Sequence, residues 1–123
     1  MQIELTRRAV TRWGADGTLT LEGRPFCDTV EHPDPLLPQG TYPVRLVLDR
    51  RYARTMPTLP GGAIIRPSNG PFTLRNGSIA VGRHRLSGLL VDTANCFDHL
   101  VRRIRRCLAR GEPVTLTIKS INN

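Results

Sequence analysis

AIIRPSNGPFTLRNGSIAVG, Ala63–Gly82, is the stretch that decides how this chain is read. An apolar run, Ala63–Ile65, ends in polar residues, a short polar loop follows, and Gly77-Ser78 leads into a second apolar run, Ile79–Val81. Short apolar runs bounded by Gly, Pro, Asn and Ser signal strands rather than helices. A strand ending in a polar turn, then a short polar loop and a second strand start, is also the outline of a small active site. The residues at its two chemical positions, Arg66 and Ser78, are unusual, because nucleophilic catalysis needs a base beside a strong nucleophile.

Toward the N-terminus the same short-run pattern continues. Gly40–Leu48 carries Val44, Leu46 and Leu48 on one face, and Asp49–Gly62 reads as a long loop holding Pro57, Pro60 and Gly61-Gly62. Phe26–Glu31 is a strand ended by His32-Pro33-Asp34-Pro35, where the prolines forbid further pairing. Gln2–Thr6 and Thr18–Leu21 alternate and form an expected hairpin around a Gly14–Gly17 turn. Toward the C-terminus, Leu86–Val91 is another strand, and then the period changes. Phe97, Leu100, Val101, Ile104 and Leu108 make one helical stripe, with Asp92, Thr93 or Asn95 to cap it and Gly111 to end it. Val114, Leu116 and Ile118 close the chain as a strand. The expectation is a mainly β (α+β) single domain over residues 1–123, with seven to eight short strands and one amphipathic helix before the last strand.

Composition narrows the function classes. The 123 residues are 39% hydrophobic and 5% aromatic, with 11 Gly and 10 Pro, which suits a loop-rich strand protein. Lys and Arg outnumber Asp and Glu by 18 to 10, a formal charge of +8, and every basic residue except Lys119 is Arg. Such a surface favours anionic partners and bidentate contacts to carboxylate or phosphate. Cys27, Cys96 and Cys107 are widely spaced with no CxxC pair, so neither a disulfide framework nor a zinc site is expected. No run is long enough to span a bilayer, and MQIELTRRAV has no apolar signal core. The expected location is the cytoplasm, or outside the cell by export without a cleaved signal peptide, with no membrane insertion.

Five segments in order carry a family resemblance: CDTVE (Cys27–Glu31), PQGTYPV (Pro38–Val44), RRYARTMPTLPG (Arg50–Gly61), AIIRPSN (Ala63–Asn69) and GSIAVG (Gly77–Gly82). Together they resemble the domain of unknown function 5675 family of bacterial and phage proteins, over nearly the whole chain. That family's strand end reads I-x-I-H-x-G-N and its strand start G-C-I-x-V-G, and its His and Cys look like the catalytic pair of L,D-transpeptidases. Here the His position falls on Arg66, the Gly on Ser68 and the Cys on Ser78, while Asn69, Gly77, Ile79, Val81 and Gly82 keep the frame. The resemblance implies a catalytically degenerate L,D-transpeptidase-like domain, a pseudoenzyme.

Three constellations remain open at this point. Ser78 with His84 as base is the weak catalytic candidate and needs the chain to fold back; it would make the protein a serine-dependent acyl transferase or hydrolase of peptidoglycan-like peptides. Arg66, Asn69, Arg75, Asn76, Ser78 and Arg83 border the expected cleft and form the ligand-binding candidate, for an anionic small molecule or an acidic protein surface. Arg102, Arg103, Arg105, Arg106 and Arg110 form a basic helix face, either a solvated surface or a nucleic-acid contact. Asp28 and Glu31 lie three apart on a strand, so their side chains point to opposite faces and do not form a carboxylate pair. Trp13 is read as covering the hairpin end. No metal site and no cofactor are expected, and the oligomeric state is left open.

Overall fold

Alternation builds the first three strands, and one face of each becomes the core. In the computed structural model, which describes residues 1–71, 74 and 77–121, β1 spans Gln2–Thr11, β2 Gly14–Leu21 and β3 Arg24–Glu31. Cross-strand pairs Ile3↔Leu21, Leu5↔Leu19 and Leu19↔Cys27 place the buried residues in register on a single face. Strand β4 (Gly40–Pro43) follows, then the hairpin β5 (Arg45–Asp49) and β6 (Arg54–Thr58). Strand β7 (Ile65–Pro67) precedes β8 (Ile79–Leu86), β9 (Leu89–Val91), the helix α1 (Thr93–Ala109) and β10 (Thr115–Ser120).

The main sheet runs β4-β10-β1-β2-β3-β8-β7, with β9 paired to β8, while β5 and β6 form a separate two-stranded sheet. Two pairings are parallel, β1 with β10 and β7 with β8. The core face of the sheet carries Ile3, Leu5, Leu19, Ile65, Ile79, Val81, Leu116 and Ile118, and α1 covers it with Phe97, Leu100 and Ile104. Each of those helix side chains is at most 1% exposed, and burial of each stabilises the fold by about 1.5–3 kcal/mol. A smaller cluster of Val30, Leu74, Ala80 and Leu90 lies apart from this core.

The mainly β architecture with one helix before the last strand matches the expectation, with ten strands among the described residues. Five local readings are corrected. Gly40–Leu48 is not one strand: it breaks at Val44 into β4, on the main sheet, and β5, in the separate sheet. The strand expected over Ala63–Ile65 is β7, Ile65–Pro67. The hairpin turn is Arg12-Trp13, and Gly14–Gly17 belongs to β2. Gly17 is a mid-sheet residue because a Cβ there would lie 2.7 Å from Thr29 Oγ1 and 2.8 Å from the Thr6 carbonyl. The segment Asp49–Gly62 is not all loop, since β6 occupies Arg54–Thr58. Finally, Ser78–Val81 and Leu86–Val91 are not two independent strands; β8 continues to Leu86 and turns back as β9.

The helix ends as its sequence predicts. Gly111 N donates to the Leu108 carbonyl at 2.9 Å and Glu112 N to that of Cys107 at 3.2 Å, a Schellman closure. At its start, Asp92 is the N-cap residue with no side-chain cap bond; instead its Oδ1 accepts from Asn95 Nδ2 at 2.7 Å. Among the described residues no helix is long and apolar enough to cross a membrane.

Candidate anion site

Parallel pairing of β7 and β8 joins the two halves of the opening stretch. The partners Ile65↔Ile79 and Arg66↔Ala80 put Ser78 beside Ile64. Ser78 is 4% exposed, and its Oγ accepts the Ile64 N–H at 3.1 Å, while Ile79 N donates to the Ile64 carbonyl at 2.9 Å. The hydroxyl therefore stitches the entry of β7 to the start of β8. Gly77 just before it has φ +75°, and a Cβ there would sit 2.7 Å from Leu37 Cγ, so the turn into Ser78 requires glycine on both counts.

Arg66 is directed elsewhere. Its Nη1 donates to Tyr52 Oη at 2.7 Å, and its Cζ stands 4.4 Å from the Tyr52 ring centroid, combining a hydrogen bond with a cation–π contact. Tyr52 lies two residues before Arg54, so Arg66 tethers the turn from which β6 begins. Asn69 is likewise engaged: its Nδ2 donates to the Leu90 carbonyl at 2.9 Å, and Leu90 N donates to the Asn69 carbonyl at 2.7 Å. Arg83 is exposed and lines a different groove, about 290 Å³, with Arg8, Thr18, Phe26, Cys27 and Asp28. Arg75 and Asn76 lie outside the described residues. Of the four expected ligand-binding positions that are described, Arg66 turns to Tyr52, Asn69 to Leu90, Ser78 to Ile64 and Arg83 to the separate groove.

Ser78 and His84 do not meet. Strand β8 is continuous between them, and six residues at roughly 3.3 Å each place them about 20 Å apart. His84 instead closes a polar cluster at the far end. Its Nε2 is 3.0 Å from the Thr29 carbonyl and 3.7 Å from Asp16 Oδ1, and its backbone N donates to Asp28 Oδ2 at 2.8 Å. Asp16 also accepts from Ser87 Oγ at 2.6 Å and from Gly88 N at 2.9 Å, clipping the β8–β9 turn to β2. Trp13 borders this turn too, since a Cβ at Gly88 would lie 3.6 Å from its carbonyl, yet its side chain remains 56% exposed. Among the described residues no group of three or more His, Cys, Asp or Glu is arranged to hold a metal ion.

Glu31, distant from Asp28 in role as expected, is buried against Arg7. Arg7 Nε and Nη2 donate to its two oxygens at 3.0 and 2.8 Å, and Nη2 also donates to the Leu37 carbonyl. The Cys27 and Cys96 thiols are held in the protonated form. Burial pushes Cys27 up to about 12, with the neighbouring Cys96 adding to the effect, and burial also raises Cys96. A neutral thiol is a poor nucleophile.

One concave basic site was not visible from the sequence. Between β6 and α1 lies a groove of about 400 Å³, rimmed by Arg54, Asp98, Arg102 and Arg105 over Phe97 and Val101. Arg54 is positioned twice, by a 3.1 Å bond to Asp98 Oδ1 and by a cation–π contact 4.7 Å from the Phe97 ring. Arg102 and Arg105 are exposed and make no ion pair among the described residues, where Glu4 pairs with Lys119, Glu31 with Arg7, Asp49 with Arg51, Asp98 with Arg54 and Glu112 with Arg110. The Arg51 and Arg110 guanidiniums hold the Asp49 and Glu112 carboxyls below the usual carboxylate range. Arg102 and Arg105 were legible as basic helix residues; Arg54 was not, because its strand was read as loop. Comparison with protein-family models, curated proteins and solved structures gave no match.

Proposed function

We propose that this domain binds an anionic ligand without catalysing a reaction on it, and that the anion sits in the groove between β6 and α1. The observation that carries the reading is the pair Arg102 and Arg105, facing a cavity with Arg54 and lacking a carboxylate partner among the described residues. The guanidiniums of Arg102 and Arg105, with Arg54 held beside them by Asp98, can make charge-assisted, bidentate bonds to a phosphate or carboxylate. The ligand class is a small phosphate or carboxylate, or the acidic side chains of a partner.

The state of the Ser78 region supports the non-catalytic half. Arg66 cannot take a proton from a hydroxyl, since guanidinium stays protonated, and the Ser78 hydroxyl serves the Ile64 amide in a buried position. In this reading the chain keeps an L,D-transpeptidase-like frame whose chemical positions have become structural. Arg66 then acts as a positioning residue, holding Tyr52 and with it the approach to Arg54. Calorimetric titration with inorganic phosphate tests the site. Two screened, half-open contacts at about 0.7 kcal/mol each imply that Arg102→Gln/Arg105→Gln weakens phosphate about tenfold. Equal affinity in the variant would remove the groove from the account.

A further inference from the structure

Arginines continue past the groove around the exposed side of α1. Arg102, Arg103, Arg105 and Arg106 make no ion pair among the described residues, and Arg110 holds only an exposed pair with Glu112. At about 100° per residue, Arg102 and Arg106 form the crest, Arg105 falls on the groove side, and Arg103 and Arg110 fall on the other flank. That second flank is a further depression of about 220 Å³, lined by Arg103, Arg106 and Arg110 with Met1, Glu22 and Glu112. Spacings of three and four residues, Arg102/Arg105, Arg102/Arg106, Arg103/Arg106 and Arg106/Arg110, bring like charges side by side on the helix.

From this arrangement we infer that the occupant is the phosphodiester backbone of nucleic acid, running from the groove over the crest of α1 to the second depression; the inference rests on the anion-site reading and names its ligand. A single small anion touches only one concavity. The charges straddle a helix roughly 10–12 Å across and rise about 12 Å from Arg102 to Arg110, so only an extended polyanion meets them all. Repeating phosphates neutralise the mutually repelling guanidiniums, and Arg suits their paired oxygens. The helix offers no exposed aromatic for base stacking; Phe97 is buried, and His99 packs edge-on against Phe26 at 5.3 Å. Binding is therefore through the backbone and indifferent to sequence.

Fluorescence anisotropy with a mixed-sequence 20-nucleotide single strand, at a series of salt concentrations, tests this. About four phosphate contacts predict a log–log salt slope near −3, from about −0.7 per contact. Arg103→Gln/Arg106→Gln, both outside the groove, should cut affinity at low salt at least tenfold and flatten the slope by about 1.4, while leaving inorganic phosphate affinity unchanged. Arg12→Gln/Arg85→Gln, which removes the same charge from the hairpin tips, should change it less than threefold. If the control loses as much as the helix variant, bulk charge explains the binding and the inference falls. If the oligonucleotide is indifferent to Arg103 and Arg106 while phosphate still needs Arg102 and Arg105, the inference falls and the groove reading stands. If neither ligand binds, both fall. Polyglutamate binding as tightly, with the same dependence on Arg103 and Arg106, reassigns the strip to an acidic protein.

Discussion

Replacing Ser78 with alanine separates a structural hydroxyl from a catalytic one. The side chain is 4% exposed and accepts the Ile64 N–H at 3.1 Å, so its loss strands a buried backbone donor. An unsatisfied buried donor costs about 1–3 kcal/mol. At roughly 2.1 cal/mol/K per residue, a chain of 123 residues shifts about 4 °C in Tm per kcal/mol, which predicts a fall of about 4–12 °C. Differential scanning calorimetry measures it directly, and phosphate affinity in the same variant should match wild type. A fluorophosphonate probe should leave native Ser78 unlabelled, because among the described residues its hydroxyl meets the Ile64 amide and no base. A Tm within about 1 °C of wild type, together with labelling of the native protein, would refute the structural role and restore an acyl-transfer function.

Two further perturbations test the core. Glu31→Gln leaves the Arg7 guanidinium buried without its counter-charge and should cost about 3–5 kcal/mol, read as a urea midpoint shift, whereas Arg7→Met/Glu31→Leu should be milder; equal losses from both would discount the ion pair. Burial raises the Cys27 thiol from 9.0 to about 12, so the folded state favours the protonated form; its stabilisation is complete below pH 9 and is lost as pH rises toward 12, at about 1.4 kcal/mol per unit. Urea unfolding across that window should show a slope that Cys27→Ala flattens, and an unchanged slope would contradict it.

The parts legible in the sequence were those with strong local periodicity. The stripe Phe97–Leu108 and the Gly111 stop delivered α1, because a helix face buried on a sheet must repeat near every 3.6 residues. Gly17 misled, since glycine demanded by the close approach of Thr29 looks the same in a sequence as glycine demanded by a turn. Strand β6 was hidden because Arg54–Thr58 carries a proline and no clean alternation, and it is held by pairing with β5 and packing against β7 and α1. For the same reason the groove was invisible: Arg54 and Arg102 lie far apart in sequence and meet only through tertiary packing. The two strands either side of Ser78 were legible, but the first was placed over Ala63–Ile65 where β7 spans Ile65–Pro67, and the second one residue early, since β8 starts at Ile79. That Arg66 would turn to Tyr52, and that the hydroxyl would be taken by Ile64, are long-range contacts no motif encodes.

The location of a bound anion is the most direct test of the central claim. In 15N-labelled protein titrated with inorganic phosphate, the account predicts amide shifts concentrated at Thr55, Asp98, Val101, Arg102 and Arg105, with Ile64, Asn69 and Ser78 undisturbed. Shifts centred on Ile64–Asn69 and Ser78, with the β6–α1 groove silent, would contradict it and return the site to the Arg66 junction.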